Sequence, residues 1–222
     1  MKNHYLISFI LILLIASCKE KKNDFVKKNR LLKDSTYVRE KLIVNLNDFR
    51  QEEIEIYISK NNDTITNQYK VIENGVIDSL NSLFYILKIK KSNKEGYYNA
   101  NISLHSEYEK LELDEENKRT LSFYYLEQKA DRLYDSISSI TTTVDNALEF
   151  EFENQYDDIL IGLLAQEVIR DTVVNGEEML NYRMTYLLVD NHTITDNIFL
   201  ESHELDKEKK FNPDGIKLEI RE

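Results

Sequence analysis

Over most of the chain, polar and apolar residues change places at every second position. Ile54, Ile56 and Ile58 alternate with Glu53, Glu55 and Tyr57, and Leu148, Phe150 and Phe152 with Glu149, Glu151 and Glu153. Tyr98, Ala100, Ile102 and Leu104 face Asn99, Asn101, Ser103 and His105, and Ile216, Leu218 and Ile220 face Lys217, Glu219 and Arg221. Successive side chains of an extended chain point to opposite faces, so this period predicts half-buried strands with one wet face. The pattern predicts further strands near 37–46, 68–73, 83–90, 120–127, 159–170, 179–189 and 198–201. Ile159–Ile169 is almost continuously apolar, which predicts a strand covered on both faces, with a helix as the alternative.

The breaks between these segments are rich in Asn and Asp: Asn61-Asn62-Asp63, Asn74-Gly75, Glu95-Gly96, Asn175-Gly176 and Asn212-Pro213-Asp214-Gly215. Asn and Asp tolerate the left-handed backbone of tight turns, which offsets a supply of only five glycines. Many short strands joined by such turns predict an all-β, antiparallel β-sandwich over residues 37–222. Only 109–118 and 128–139 have any helical character. An offset near 100 residues between Asn74-Gly75 with its following strand and Asn175-Gly176 with its own leaves two arrangements open. One is a single large sandwich; the other is two tandem Ig-like sandwiches divided near 140.

The first residues break the pattern. Met1-Lys2-Asn3-His4 is a short cationic start, Tyr5 to Ala16 is apolar except for Ser8, and Ile15-Ala16-Ser17-Cys18 closes the run. This is the layout of a secretory signal, well short of the roughly 20 apolar residues of a membrane-spanning helix. The closing four residues resemble a bacterial lipobox, [Leu/Val/Ile]-[Ala/Ser/Thr]-[Gly/Ala/Ser]-Cys, at every position. With a composition rich in Lys, Asn and Ile and lacking Trp, the chain resembles a Bacteroidota-type outer-membrane lipoprotein. The resemblance implies cleavage after residue 17 and lipidation of Cys18, with a diacylglycerol on its thiol and a further chain such as palmitate on its amine. Two or more acyl chains anchor stably. It also implies a place in the cell envelope, at the outer membrane, facing the periplasm or the outside. It names no functional family. Residues 18–36 then read as a tether: Lys19–Lys33 holds seven Lys or Arg and two acids with little apolar content.

Charge narrows the partners. Removing residues 1–17 takes away Lys2 and no acid, leaving 28 Lys and Arg against 40 Asp and Glu, a formal charge of −12. Such a surface repels phosphate backbones, which argues against nucleic acid. Cys18 is the sole cysteine, so no internal disulfide forms and stability rests on burial.

Candidate chemistry is sparse. His105, His192 and His203 share no metal-ligand spacing, Asp114-Glu115-Glu116 and Asp157-Asp158 lack a calcium-loop register, and neither a nucleophile elbow nor a Gly-rich phosphate loop is present. No cofactor or metal is expected. Tyr97 and Tyr124 are candidates for a binding face, each being one of a Tyr doublet in which one ring points inward and its neighbour outward. The triplet Asp-[Ser/Thr]-[Ala/Ile/Leu/Met/Thr/Val] occurs five times and resembles the O-glycosylation sequon of exported Bacteroidota proteins. That resemblance implies glycans on Ser35, Thr64, Ser79, Ser136 and Thr172. The sequence thus predicts a membrane-anchored, non-enzymatic binding or assembly module with a protein or glycan partner. The alternatives are a glycan hydrolase working through two carboxylates, or an immunity-like inhibitor lipoprotein.

Overall fold

A computed structural model describes residues 36–61, 63–128, 134–154, 158–174 and 177–200. In chain order the strands are β1 (Tyr37–Asn45), β2 (Arg50–Ile58), β3 (Thr64–Glu73), β4 (Val76–Lys91), β5 (Tyr97–His105) and β6 (Asn117–Gln128). They continue as β7 (Tyr134–Thr142), β8 (Ala147–Glu153), β9 (Ile161–Val174), β10 (Glu177–Asp190) and β11 (Ile194–Thr195). A seven-stranded sheet runs β11-β1-β2-β3-β4-β5-β8, and a four-stranded sheet runs β10-β9-β6-β7. Every recorded pairing is antiparallel. The protein is an all-β sandwich, as the period-two pattern predicts.

There is one sandwich, not two in tandem. β8 pairs with β5, β9 with β6 and β11 with β1, so a division near 140 would cut both sheets. The two segments related by the 100-residue offset end up apart, β4 inside the large sheet and β10 at an edge of the small one. Asn74 and Gly75, with φ of 50° and 78°, form the two-residue β3–β4 turn with both central residues left-handed.

Three local predictions are corrected. The stretch 109–118 is not helical: the Asp114 carboxylate accepts from the backbone N–H groups of Glu116 and Asn117, closing a turn from which β6 starts. From residue 134 onward, the proposed helix 128–139 is β7, a Ser/Thr-rich edge strand paired to β6. Residues 198–200 form a helical turn instead of a strand, because Asn197 accepts the Phe199 N–H on its side chain and the Leu200 N–H on its carbonyl. The strand predicted at 216–220 lies outside the described residues. Among the described residues no helix is long and apolar enough to cross a membrane.

The core has two parts. Tyr85, Ile102, Leu104, Leu148 and Phe152 of β4, β5 and β8 pack on Leu121, Phe123, Leu164, Leu187 and Val189 of β6, β9 and β10. Leu163 and Leu188, on the opposite face of the small sheet by strand alternation, form a second cluster with Tyr37, Tyr57 and Leu200. The large sheet therefore folds around the β10 edge and covers part of both faces of the small one. This explains why β9 opens on an uninterrupted apolar run, Ile161 to Ala165. It also overturns the wet face predicted for residues 53–58: Glu55 is 2% exposed and Tyr57 fully buried.

Candidate functional site

The part of the small sheet's outer face that the large sheet leaves uncovered is a tyrosine surface. Leu121, Phe123, Leu164, Leu187 and Val189 point inward, so Tyr124, Ser122, Ala165, Glu167, Tyr182, Met184 and Tyr186 point outward. Register sets the rows: Tyr186, Ala165, Ser122 and Thr141 lie side by side, with Leu188, Leu163, Tyr124 and Ser139 in the row above. Below come Met184, Glu167 and Thr120, then Tyr182, Ile169 and Lys118. Tyr124 and Tyr186 stand about 12 Å apart diagonally across the sheet, and Tyr182 about 13 Å along β10 from Tyr186. Between Tyr186 and Tyr124 the floor is Ala165 and Ser122, so the rings stand over small side chains. Tyr124 is 38% and Tyr182 56% exposed, while Tyr186 is half-buried against the second cluster. Burial raises the Tyr186 pKa first, then the neighbouring Tyr182, Tyr124 and Glu167; burial and Glu167 raise that of Tyr182. Tyr182 and Tyr186 therefore remain neutral phenols at physiological pH, able to donate a hydrogen bond and to stack.

The two tyrosines singled out in the sequence part company here. Tyr124 belongs to this surface. Tyr97 faces outward too, but its hydroxyl donates to Glu153 at 3.0 Å and the Lys94 ammonium lies 3.1 Å from its ring centroid. Its ring and hydroxyl are already engaged in holding the β4–β5 turn against β8. Tyr182 and Tyr186 were not among the candidates; their four-residue separation, which puts both on one face of a strand, was the available signal. Of the glycosylation candidates, Thr64 is exposed at the start of β3, and Ser79 and Thr172 are half-buried within β4 and β9. Ser35, the Ser136 side chain and Cys18 lie outside the described residues.

A second polar constellation is internal. Asp190, at the end of β10 and 2% exposed, accepts from the Tyr57 hydroxyl at 2.8 Å, from the Asn197 amide at 3.0 Å and from the Thr195 hydroxyl. The Arg39 guanidinium donates to the Asp190 carbonyl and lies 3.2 Å from Glu55. Burial pushes the Asp190 carboxyl up to about 6, against the three donors and the Arg39 charge. Burial would by itself lower the Arg39 pKa, but Glu55 leads a set of neighbouring groups that raise it. Two surface depressions on the β4–β5–β8 side are lined by other residues, one by Lys88, Lys90, Asn99, Asn101, Glu149 and Glu151, the other by residues around His105 and Asn146. The network ties β1, β2, β10 and β11 together.

This pKa has a measurable consequence. Raised from 3.8 unfolded to about 6 folded, Asp190 contributes about 3 kcal/mol that is fully present below pH 4 and lost as pH rises through 6. The urea midpoint of wild type minus that of Asp190→Asn is therefore expected to fall between pH 4 and pH 6.5 and then level off. A difference that stays flat across this window rules the assignment out.

Among the described residues no three His, Cys, Asp or Glu converge as metal ligands. His105 hydrogen-bonds Glu109 at 3.2 Å and stacks on Phe84, and His192 lies 3.7 Å from Asp158; His203 is outside the described residues. Fold and surface together define an antiparallel β-sandwich carrying an outward aromatic face. No protein-family model, curated protein or solved structure matches the chain.

Proposed function

We propose that the protein is a lipid-anchored lipoprotein of the cell envelope, held by Cys18, that binds a protein partner through the Tyr124–Tyr182–Tyr186 face and performs no chemistry of its own. The observation that carries this reading is the set of three outward tyrosines around a floor of small residues. Tyr and Met concentrate at protein interfaces while Lys and Glu are depleted at their centres. Here Met184, Ile169 and Leu180 lie among the tyrosines, with Glu167, Lys118 and Asp171 as the charges of the same rows. A rigid aromatic ring loses little entropy on docking and supplies a large contact area, which makes exposed tyrosines recurrent anchors. The absence of Trp weighs against a sugar platform.

The test is affinity purification of the tagged, lipidated protein from its native envelope after mild crosslinking in vivo, read by mass spectrometry. The intact mass of the bait also reports the lipid on Cys18 and any glycan on Thr64. A stoichiometric partner is expected, retained by wild type and reduced at least tenfold by the double change Tyr124→Ala, Tyr182→Ala. Both residues are exposed, so circular dichroism should remain unchanged. Equal capture by the double variant would move the interface off this face, and loss of glycan in place of protein would reassign the partner class.

A further inference from the structure

β1 starts with a neighbour on each side and ends with one. β11 pairs with Tyr37 and Val38, and the Arg39 N–H donates to the Thr193 carbonyl at 2.8 Å. From Lys41 to Asn45 β1 is paired to β2, and among the described residues no strand lies on its other side. The Arg39 bond sets the phase of the exposed edge. Odd-numbered residues aim their N–H and C=O away from β2, so Lys41, Ile43 and Asn45 offer theirs outward while Leu42 and Val44 turn theirs to the ladder. Native edges are usually blunted by charge, bulge or Pro. This one is apolar at its centre, with Leu42 44%, Ile43 64% and Val44 40% exposed, and its one charge, Lys41, is engaged by Glu53 at 2.9 Å.

We propose that this edge pairs antiparallel with the same edge of a second copy, about a two-fold axis at Ile43. The occupant follows from the self-complementarity of the segment. With Ile43 opposite its symmetry mate, the pair exchanges two backbone hydrogen bonds, and Lys41 opposite Asn45 exchanges two more on each side. On one face Leu42 then meets Val44 of the partner copy twice, extending the apolar strip that Leu42 forms with Ile54 of β2. On the other face Ile43 meets itself, and no like charges stand opposite each other. Centring on Leu42 would place Lys41 across Ile43 and Asn45 across Arg39, whose N–H is already given to Thr193, so about four bonds would form in place of about six; centring on Val44 would run past the end of β1. Bond count, strand length and side-chain pattern agree on one isologous solution. It uses a surface separate from the tyrosine face and does not depend on it.

Single-cysteine crosslinking of the full chain in its native envelope tests this directly. Ile43→Cys is expected to give a disulfide-linked species of twice the monomer mass, at least tenfold above wild type, which controls for Cys18. Leu42→Cys and Val44→Cys are expected to crosslink when co-expressed and far less when expressed singly. Ile77→Cys, 43% exposed but on β4, away from the edge, is the collision control. Dimer from Ile43→Cys no stronger than from Ile77→Cys would overturn the proposal. Ile43→Cys linked only to a protein of different mass would overturn it too, giving the edge to another partner. All these positions are solvent-exposed, so the variants should fold.

Discussion

Replacing Asn67 with leucine is expected to lower the unfolding free energy by about 3–4 kcal/mol, more than the loss of most core methylenes. Asn67 sits in β3 and is 6% exposed, yet the backbone it binds belongs to the other sheet. Its amide donates to the Leu188 carbonyl at 2.8 Å and to Glu55 at 2.9 Å, and its side-chain oxygen accepts the Leu188 N–H at 2.7 Å. Leu188 is on β10, an edge strand, and among the described residues these backbone groups have no ladder partner on that side. The side chain replaces one residue of a missing strand. Leucine would leave a buried N–H, a buried C=O and a buried carboxylate each short of one hydrogen bond, at roughly 1–3 kcal/mol apiece before relaxation. Asn67→Asp should be no better, because it keeps the acceptor but sets a second carboxylate against Glu55. Urea unfolding followed by circular dichroism measures the loss as a lower midpoint at unchanged slope. A loss under 1 kcal/mol for both variants would mean water takes over the bonds.

Gly162→Ala is expected to cost about 3 kcal/mol, and Gly162→Val to prevent folding. Gly162 lies in β9, opposite Tyr125 of β6 on one side and Val189 of β10 on the other. A Cβ built there would sit 2.4 Å from two carbons of the Phe123 ring and 2.5 Å from the Tyr124 carbonyl oxygen. The ring is fully buried, and the carbonyl belongs to a strand held between two neighbours, so neither gives way cheaply. In a chain of this size the alanine variant should melt roughly 6–12 °C below wild type. A shift within 2 °C would show that Phe123 has another rotamer to occupy.

The strands were legible where one face is wet and the other dry, as in β5 and β8, because alternation reports that asymmetry directly. β7 escaped because Ser136, Ser138, Ser139, Thr141 and Thr142 carry almost no hydrophobic contrast, and an edge strand needs little. Glu55 read as solvent-facing because it alternates with isoleucines. Its burial arises from the large sheet wrapping the β10 edge, a tertiary event with no trace in local periodicity. For the same reason Tyr97 and Tyr124 were equivalent in the sequence: alternation says that a ring points outward, but not that Lys94 and Glu153 will occupy one of them. Tyr182 and Tyr186 join Tyr124 only through the pairing of β6 with β9, which starts at Ile161, beyond two intervening strands.

The pairing of Tyr37 with Thr195 has a temporal side. The second core cluster needs Tyr37 from the first strand and Leu200 from beyond the last, and Asp190 cannot fill its acceptor sites until Thr195 and Asn197 arrive. Closure therefore joins segments separated by nearly the whole described chain, a contact order that places folding among the slower β topologies. A chain emerging N-terminus first holds β1 without its last neighbour until some 160 residues later, so commitment to the native state waits for the β11 segment to emerge.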